Sequence, residues 1–304
     1  MQAWLYGCVD AGADLFPMQS RTLLNIALFL VVVLLAVYVY DIDKNEQASE
    51  KGGQLTQLAA DGVTQIDIHH NQRHIELRRE DDKWRMLRPI NIAANSFRID
   101  TLLNMLNTAS HAEYSTADLA LDKYGLSEPD TSISFNDVTI EFGIVNPINN
   151  YRYVRINGTV HLIDDHFYPL LSSQTGTLVA RELIDGDAVI DKLVLPQQTL
   201  YRDENNLWHS SDNTDPDAIN ETLHNWQHSQ AFGVHNYMQR ESLADISVYL
   251  AGNPEPVQFH VTDTDPWLII ARPDLDIEYH FNMEFYNRLL KPGAVKESEN
   301  ELPE

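Results

Sequence analysis

Glu221, His224 and His228 are spaced by three and four residues, so a helix carries all three on one face, where two imidazoles and a carboxylate could hold a divalent metal. The stretch stops short of a zinc-hydrolase motif, because "HNWQH" places no glutamate beside the first histidine to serve as the base. A second crowding is "HHNQRH", with His69, His70 and His74; two histidines facing each other across a hairpin can bind zinc or copper. Histidines that alternate with apolar residues beside a turn are more commonly solvated, so neither set assigns a metal. "DNTDPD" and "TDTDP" share only acid content with calcium loops; the first lacks the sharp-turn glycine and the closing glutamate, and both read as caps and turns.

Two further stretches bring a basic residue, an acidic or amide run and a tryptophan together: "REDDKWRML" from Arg79 and "RDENNLWHS" from Arg202. Carboxylates beside an aromatic ring could hold a cation or a sugar. The same residues also suit a hairpin turn followed by a core-facing indole, and recurrence between two strands favours the turn.

Nucleophilic chemistry finds less support. The sequence has no G-x-S-x-G elbow, no S-x-x-K with its companion motifs and no glycine-rich phosphate loop. Cys8 is the single cysteine, so an intramolecular disulfide and a cysteine-based zinc site are excluded. A carboxylate pair of the glycosidase kind is assembled in space and leaves little local trace, which keeps an envelope hydrolase open as the alternative. That reading requires Glu221, His224, His228, His235 or the acidic turns to converge in one pocket. With 45 acidic against 21 basic side chains and a net charge of -24, the chain repels a nucleic-acid backbone. No cofactor is expected.

The elements that would position these residues follow from periodicity. Leu23 to Tyr40 is apolar apart from Asn25 and the terminal tyrosines, and as a helix reaches about 27 Å, close to a bilayer core of ~30 Å. Residues 22–40 are therefore expected to be an uncleaved transmembrane helix. Arg21 before it and Asp41 and Asp43 after it place the N-terminus in the cytoplasm and the bulk of the chain outside, in a bacterium the periplasm. Residues 1–17 have no basic n-region, whereas Met18 opens a short polar start; translation is expected to begin there, leaving no thiol. Residues 41–62 read as a linker and 291–304 as a disordered tail.

Between them the order strand, hairpin, strand, helix, strands occurs twice. Ile66 and Ile68 alternate, Ile75 and Leu77 resume after "HHNQRH", and Trp84 and Met86 follow the next turn. Phe97, Ile99, Leu102, Leu103 and Leu106 then recur at helical spacing behind a cap at Asn95 or Ser96. Ile190, Leu193 and Leu195, the strand pair around "DENN", and a helix capped by Asp215 with Pro216 first repeat that order. The expected architecture is α+β: a transmembrane helix followed by two tandem, diverged repeats of antiparallel sheet plus helix, at residues 63–186 and 187–290.

"WRMLRPINIAANSFRIDTLLNMLNTASHAEY", "KYGLSEPDTSISF" and "YRYVRINGTVHLIDDHFYPLL" together resemble the domain-of-unknown-function 4340 family, over about Val63 to Ile184. The residues that carry the likeness are structural: Trp84, Pro89, Tyr124, Gly125, Leu126 and Pro129, with Trp208 the second-repeat tryptophan. The resemblance implies a bacterial envelope protein with an N-terminal anchor, often encoded beside components of an ABC transporter. It implies no reaction and no catalytic residues. The expected function is a non-enzymatic, single-pass inner-membrane protein whose periplasmic domain binds envelope or transporter proteins.

Overall fold

The structure, a computed structural model, describes residues 25–38 and 53–294. Residues 1–17, the ends of the expected span 22–40, most of the expected linker and residues 295–304 lie outside the described residues. Residues 25–38 form a helix, α1, with every side chain exposed. Among the described residues no helix is long and apolar enough to cross a membrane.

The second unit begins at Gly52 and holds two antiparallel sheets. In the first half the elements are β1 (Gln65–His70), β2 (Arg73–Glu80), β3 (Lys83–Arg88), β4 (Ile92–Ala93), α2 (Ser96–Leu103), β5 (Ala112–Ser115), β6 (Thr131–Phe135), β7 (Val138–Val145), β8 (Tyr151–Ile156), β9 (Thr159–Asp164) and α3 (Tyr168–Leu171). In the second half they are β10 (Ile190–Val194), β11 (Thr199–Arg202), β12 (Trp208–Ser210), α4 (Pro216–His228), β13 (Gly233–Asn236), β14 (Ala244–Leu250), β15 (Val257–Asp263), β16 (Trp267–Arg272), β17 (Ile277–Asn282) and α5 (Phe285–Leu290).

The first sheet has the order β4-β3-β2-β1-β6-β7-β8-β9-β5, and the second β12-β11-β10-β14-β15-β16-β17-β13. Strand for strand these are the same path, with β4 the one addition. In each, a hairpin pair is laid beside a four-strand meander, and the strand that follows the helix returns to the far edge.

Local chemistry explains the elements. Ile66 faces Leu77 and Ile68 faces Ile75 across β1 and β2, so the period-two apolar set lies on one face. Asp81 and Asp82, which join β2 to β3, both have positive φ, of 47° and 64°, and Asn206 has 64° in the matching turn before β12. Aspartate and asparagine tolerate that left-handed geometry best among residues with a side chain, which accounts for the acidic and amide run before each tryptophan. The Asn95 side chain caps α2 by accepting from Arg98 N, and the Asp215 side chain caps α4 by accepting from Asp217 N.

Ile99, Leu102 and Leu103 of α2 cover the first sheet, and Ile219, Leu223 and Trp226 of α4 cover the second. The two apolar layers join in one core. Trp226 is fully buried, meets Phe259 edge-on and donates its indole N–H to Leu289 O at 2.8 Å. Trp84 and Trp208, each following its turn, are half-buried and pack against the core, facing it as expected.

The linker reading needs correction at its end. Leu55 is buried in the core and its N–H donates to Thr108 O, while Ser110 N donates to Gly53 O. An apolar residue within the polar stretch finds the open margin beside β5, so the fold starts ten residues before position 63. Of the expected tail, residues 291–294 complete a turn after α5.

The motif residues have structural tasks. Gly125 ends a short 3₁₀ turn, Leu121–Tyr124, at φ 67°, and Leu126 then enters the core. The Tyr124 ring packs on Tyr153 with centroids 4.6 Å apart. Pro89 is exposed and Pro129 half-buried. Gly143 of β7 lies under this turn: a Cβ there would stand 2.2 Å from Tyr124 O and 2.9 Å from Leu126 Cγ. Gly143→Ala should therefore lower the unfolding free energy by about 1–3 kcal/mol, whereas Gly62→Ala, with nothing within 4 Å, should leave it within about 0.5 kcal/mol. Urea unfolding of the two variants measures the contrast.

Candidate functional site

The sheets are held by the segment that joins them. Asn95 N donates to Leu178 O at 2.8 Å and Ala180 N to Ala93 O at 2.9 Å, so residues 178–180 run along β4. One step later the same segment turns to the second half: Ala231 N donates to Arg181 O at 2.9 Å, and Gln230 Nε2 to Glu182 Oε1 at 2.7 Å. Asn236 N donates to Gln174 Oε1 at 3.0 Å, and Gly176 packs against Val234 so closely that a Cβ would come within 2.7 Å of its carbonyl oxygen. Arg85 meets Asp185 at 3.4 Å, and Lys83 pairs with Asp187.

Beside this segment opens a cleft of about 960 Å³. Trp84 and Ile92 line it from the first sheet, Leu183 and Ile184 from the joining segment, and Leu250 and Tyr279 from the second sheet. The lining cations Arg79, Lys83, Arg85 and Arg272 are each matched to a carboxylate of this chain, Asp82, Asp187, Asp185 and Asp274. The cleft therefore presents no unmatched arginine or lysine among the described residues, while the carboxylates of Asp61, Asp100 and Glu182 line it beside apolar surface. Tyr279 is fully buried, and its hydroxyl finds no hydrogen-bond partner. Burial pushes the phenol well above its ordinary range, keeping it neutral and able to donate.

The candidate metal residues do not converge on this cleft. Glu221, His224 and His228 share the exposed face of α4, with the two imidazoles 4.5 Å apart; only His228 touches the cleft. His69 and His74 sit opposite each other on β1 and β2 and stack at 4.3 Å, with Asp67 3.1 Å from His74 Nε2; His70 turns away to Thr131 Oγ1 at 2.8 Å. Among the described residues no three histidine, cysteine, aspartate or glutamate side chains are placed to hold a metal.

His235 lies 4.5 Å from His280 in a different assembly, centred on Glu278. That carboxylate is fully buried and accepts from Met238 N at 3.1 Å, Arg240 Nη1 at 3.1 Å and His280 Nε2 at 2.8 Å. It fastens the loop after β13 to β17. Arg152 is the counterpart in the first half: it pairs with Asp165, donates to Gly143 O at 2.6 Å and lies 3.6 Å from the Tyr168 ring, tying α3 to the sheet. Sequence reading missed Tyr279, Glu278 and Arg152. Tyr279 left one signal, a hydroxyl-bearing ring in phase with Ile277 and Phe281 on an inward strand face.

A family model, DUF4340, described as a domain of unknown function, matches residues 84–259, more than half of the 304-residue chain. The match starts later and reaches further than the stretch Val63 to Ile184, crossing from β3 into β15. Searches of curated proteins and of solved structures find no match.

Two outcomes follow from these geometries. Tyr279→Phe removes a buried hydroxyl without a partner, so the unliganded protein should be no less stable, and stabler by up to about 1 kcal/mol, in guanidinium unfolding. His161 is buried against Ser110 Oγ at 3.1 Å; burial lowers its pKa, partly offset by Glu113. His235 is lowered in the same direction by burial and by His280. A lowered folded pKa means that the unfolded chain takes up the proton first. The stability these neutral rings contribute is complete above the unfolded value of about 6.5 and is lost as pH falls through the folded value. Unfolding free energy should decline from about pH 7 toward pH 5, and His161→Gln should flatten part of that slope.

Proposed function

The chain belongs to the DUF4340 family, a domain of unknown function, and we propose, from what the family resemblance implies and from the apolar helix α1, a non-enzymatic binding protein of the bacterial inner membrane. In this reading residues 22–40 anchor the chain once through the bilayer, the N-terminus is cytoplasmic, and the unit from Gly52 onward works in the periplasm. The two sheets are diverged copies of one unit, at residues 63–186 and 187–290, a reading supported by their common strand path. The partners are envelope proteins, with an ABC-type transport assembly as the one to test.

One observation carries the proposal: α1 exposes leucine, valine and phenylalanine side chains on every face, while the folded unit that follows closes its own core. A helix that is apolar all round needs a non-aqueous surrounding, and lipid is the one that suits a helix ahead of a separate domain. The cleft adds support for binding over chemistry, since its cations are neutralised within the chain and Trp84, Ile92, Leu183, Ile184 and Leu250 give its otherwise polar walls an apolar part.

The test is capture of the full chain from detergent-solubilised native membranes through a C-terminal tag, quantified against an anchor-only control. Stoichiometric enrichment of transporter subunits is the expected result. A protein recovered alone, or from the soluble fraction, overturns the reading.

A further inference from the structure

The two arginine-to-tryptophan hairpins look alike in sequence and differ in what their arginine does. Arg79 stands directly across from Trp84 in the β2–β3 register, and Arg202 directly across from Trp208 in the β11–β12 register. Arg79 is spoken for: Nη2 donates to Asp82 Oδ1 at 2.9 Å and Nη1 to Asp61 O at 3.2 Å. Arg202 has no such partner. Its guanidinium lies 4.9 Å from the Trp208 ring centre, its Nε is buried with nothing to donate to, and it forms no ion pair among the described residues.

The turn carboxylate that could have neutralised it is occupied elsewhere. Asp203 accepts from Leu207 N at 2.9 Å and Asn205 N at 2.8 Å, and from His209 Nε2 at 3.0 Å. The turn thus holds its own acid away from the arginine.

A pocket of about 200 Å³ opens at this place, separate from the larger cleft and lined by Arg202, Trp208, Asn220, His224, Gln227 and the apolar pair Ile190 and Leu223. No carboxylate lines it, although the chain carries 45 acidic residues and a net charge of -24. An arginine left unpaired in so acidic a protein, backed by an aromatic face and ringed by amides and an imidazole, is a fork awaiting an anion.

We propose that this pocket binds the carboxylate group of an organic acid or of a peptide C-terminus. Arg202 takes the two oxygens through its fork, Trp208 backs the guanidinium plane, and Asn220, His224 and Gln227 complete the polar wall. The single cation matches a monoanion; a phosphate dianion would bring a second charge that this net-negative chain repels. The site is independent of the membrane reading and of any protein partner, so capture experiments leave it untouched.

The test uses the full-length chain in detergent, labelled with ¹⁵N-tryptophan so that five indole signals report, with the Trp208 signal assigned by Trp208→Phe. Acetate, an N-acetylated tripeptide with a free C-terminus, its C-terminal amide and inorganic phosphate are titrated in turn. Saturable movement of the Trp208 signal by acetate or by the free-acid tripeptide, and not by the amide, is expected. The stronger of the two identifies the source as a free acid or a chain end. Arg202→Gln should weaken binding roughly 10-fold or more, Arg202→Lys should fall between, and Arg79→Gln should leave it unchanged. Unaltered melting temperatures show that these variants fold. Equal binding by the amide, tighter binding by phosphate, equal binding by Arg202→Gln, or no saturable movement overturns the proposal.

Discussion

Residues 174–182 are the constraint on which the molecule depends. The helices that cover each sheet, α2 and α3 in the first half and α4 and α5 in the second, are too short to seal sheets of nine and eight strands. The joining segment lends its backbone to both halves in succession, bonding to Ala93 and Asn95 on one side and to Ala231 on the other, and the Gln174 side chain adds a bond from Asn236 N. Because those bonds alternate within a few residues, neither half can move away without breaking the pairing of the other. The buried residues Leu178, Val179, Leu183 and Ile184 then carry one core through both halves. The large cleft is a consequence, since a single strand of chain between two sheets fills only part of the space beside it.

Much of this was legible in sequence, and the part that was not has a common cause. Period-two alternation in Ile66, Ile68, Ile75 and Leu77, the caps at Asn95 and Asp215, and the helical spacing of Ile219, Leu223 and Trp226 are local signals, and the corresponding elements stand. The edges were not legible. Two-residue β4 is too short to show a period although its partner β3 is close in sequence, and β5 and β13 depend on partners in β9 and β17 about 40–50 residues away. Nothing within their own few residues distinguishes them from loop.

The same limit governs the charged groups. The pattern of three and four residues from Glu221 to His228 does place its side chains on one face, but a single helix face brings no fourth partner. Glu278 and Arg240, by contrast, lie 38 residues apart and meet through the pairing of β13 with β17. Spacing along a chain reveals neighbours on one element; burial of a carboxylate depends on which second element arrives. Tyr279 shows the intermediate case, where the strand phase is readable and the missing partner for its hydroxyl is not.

The two halves follow one strand path, yet one difference separates their tryptophan hairpins. In the first half β4 pairs with β3 and the joining segment pairs beyond β4, and the Arg79 charge is met within its own turn by Asp82. The second half has no strand equivalent to β4: β12 is the outermost strand, and the chain leaves it directly for α4. There the pocket lies between residues of β10, β11 and β12, Ile190, Arg202 and Trp208, and α4 side chains, Asn220, His224 and Gln227. Without a strand beyond it, β12 leaves Trp208 on an open edge strand with Arg202 across from it on β11, and His224, one of the three residues that spacing put on a single helix face, becomes part of the wall of that pocket.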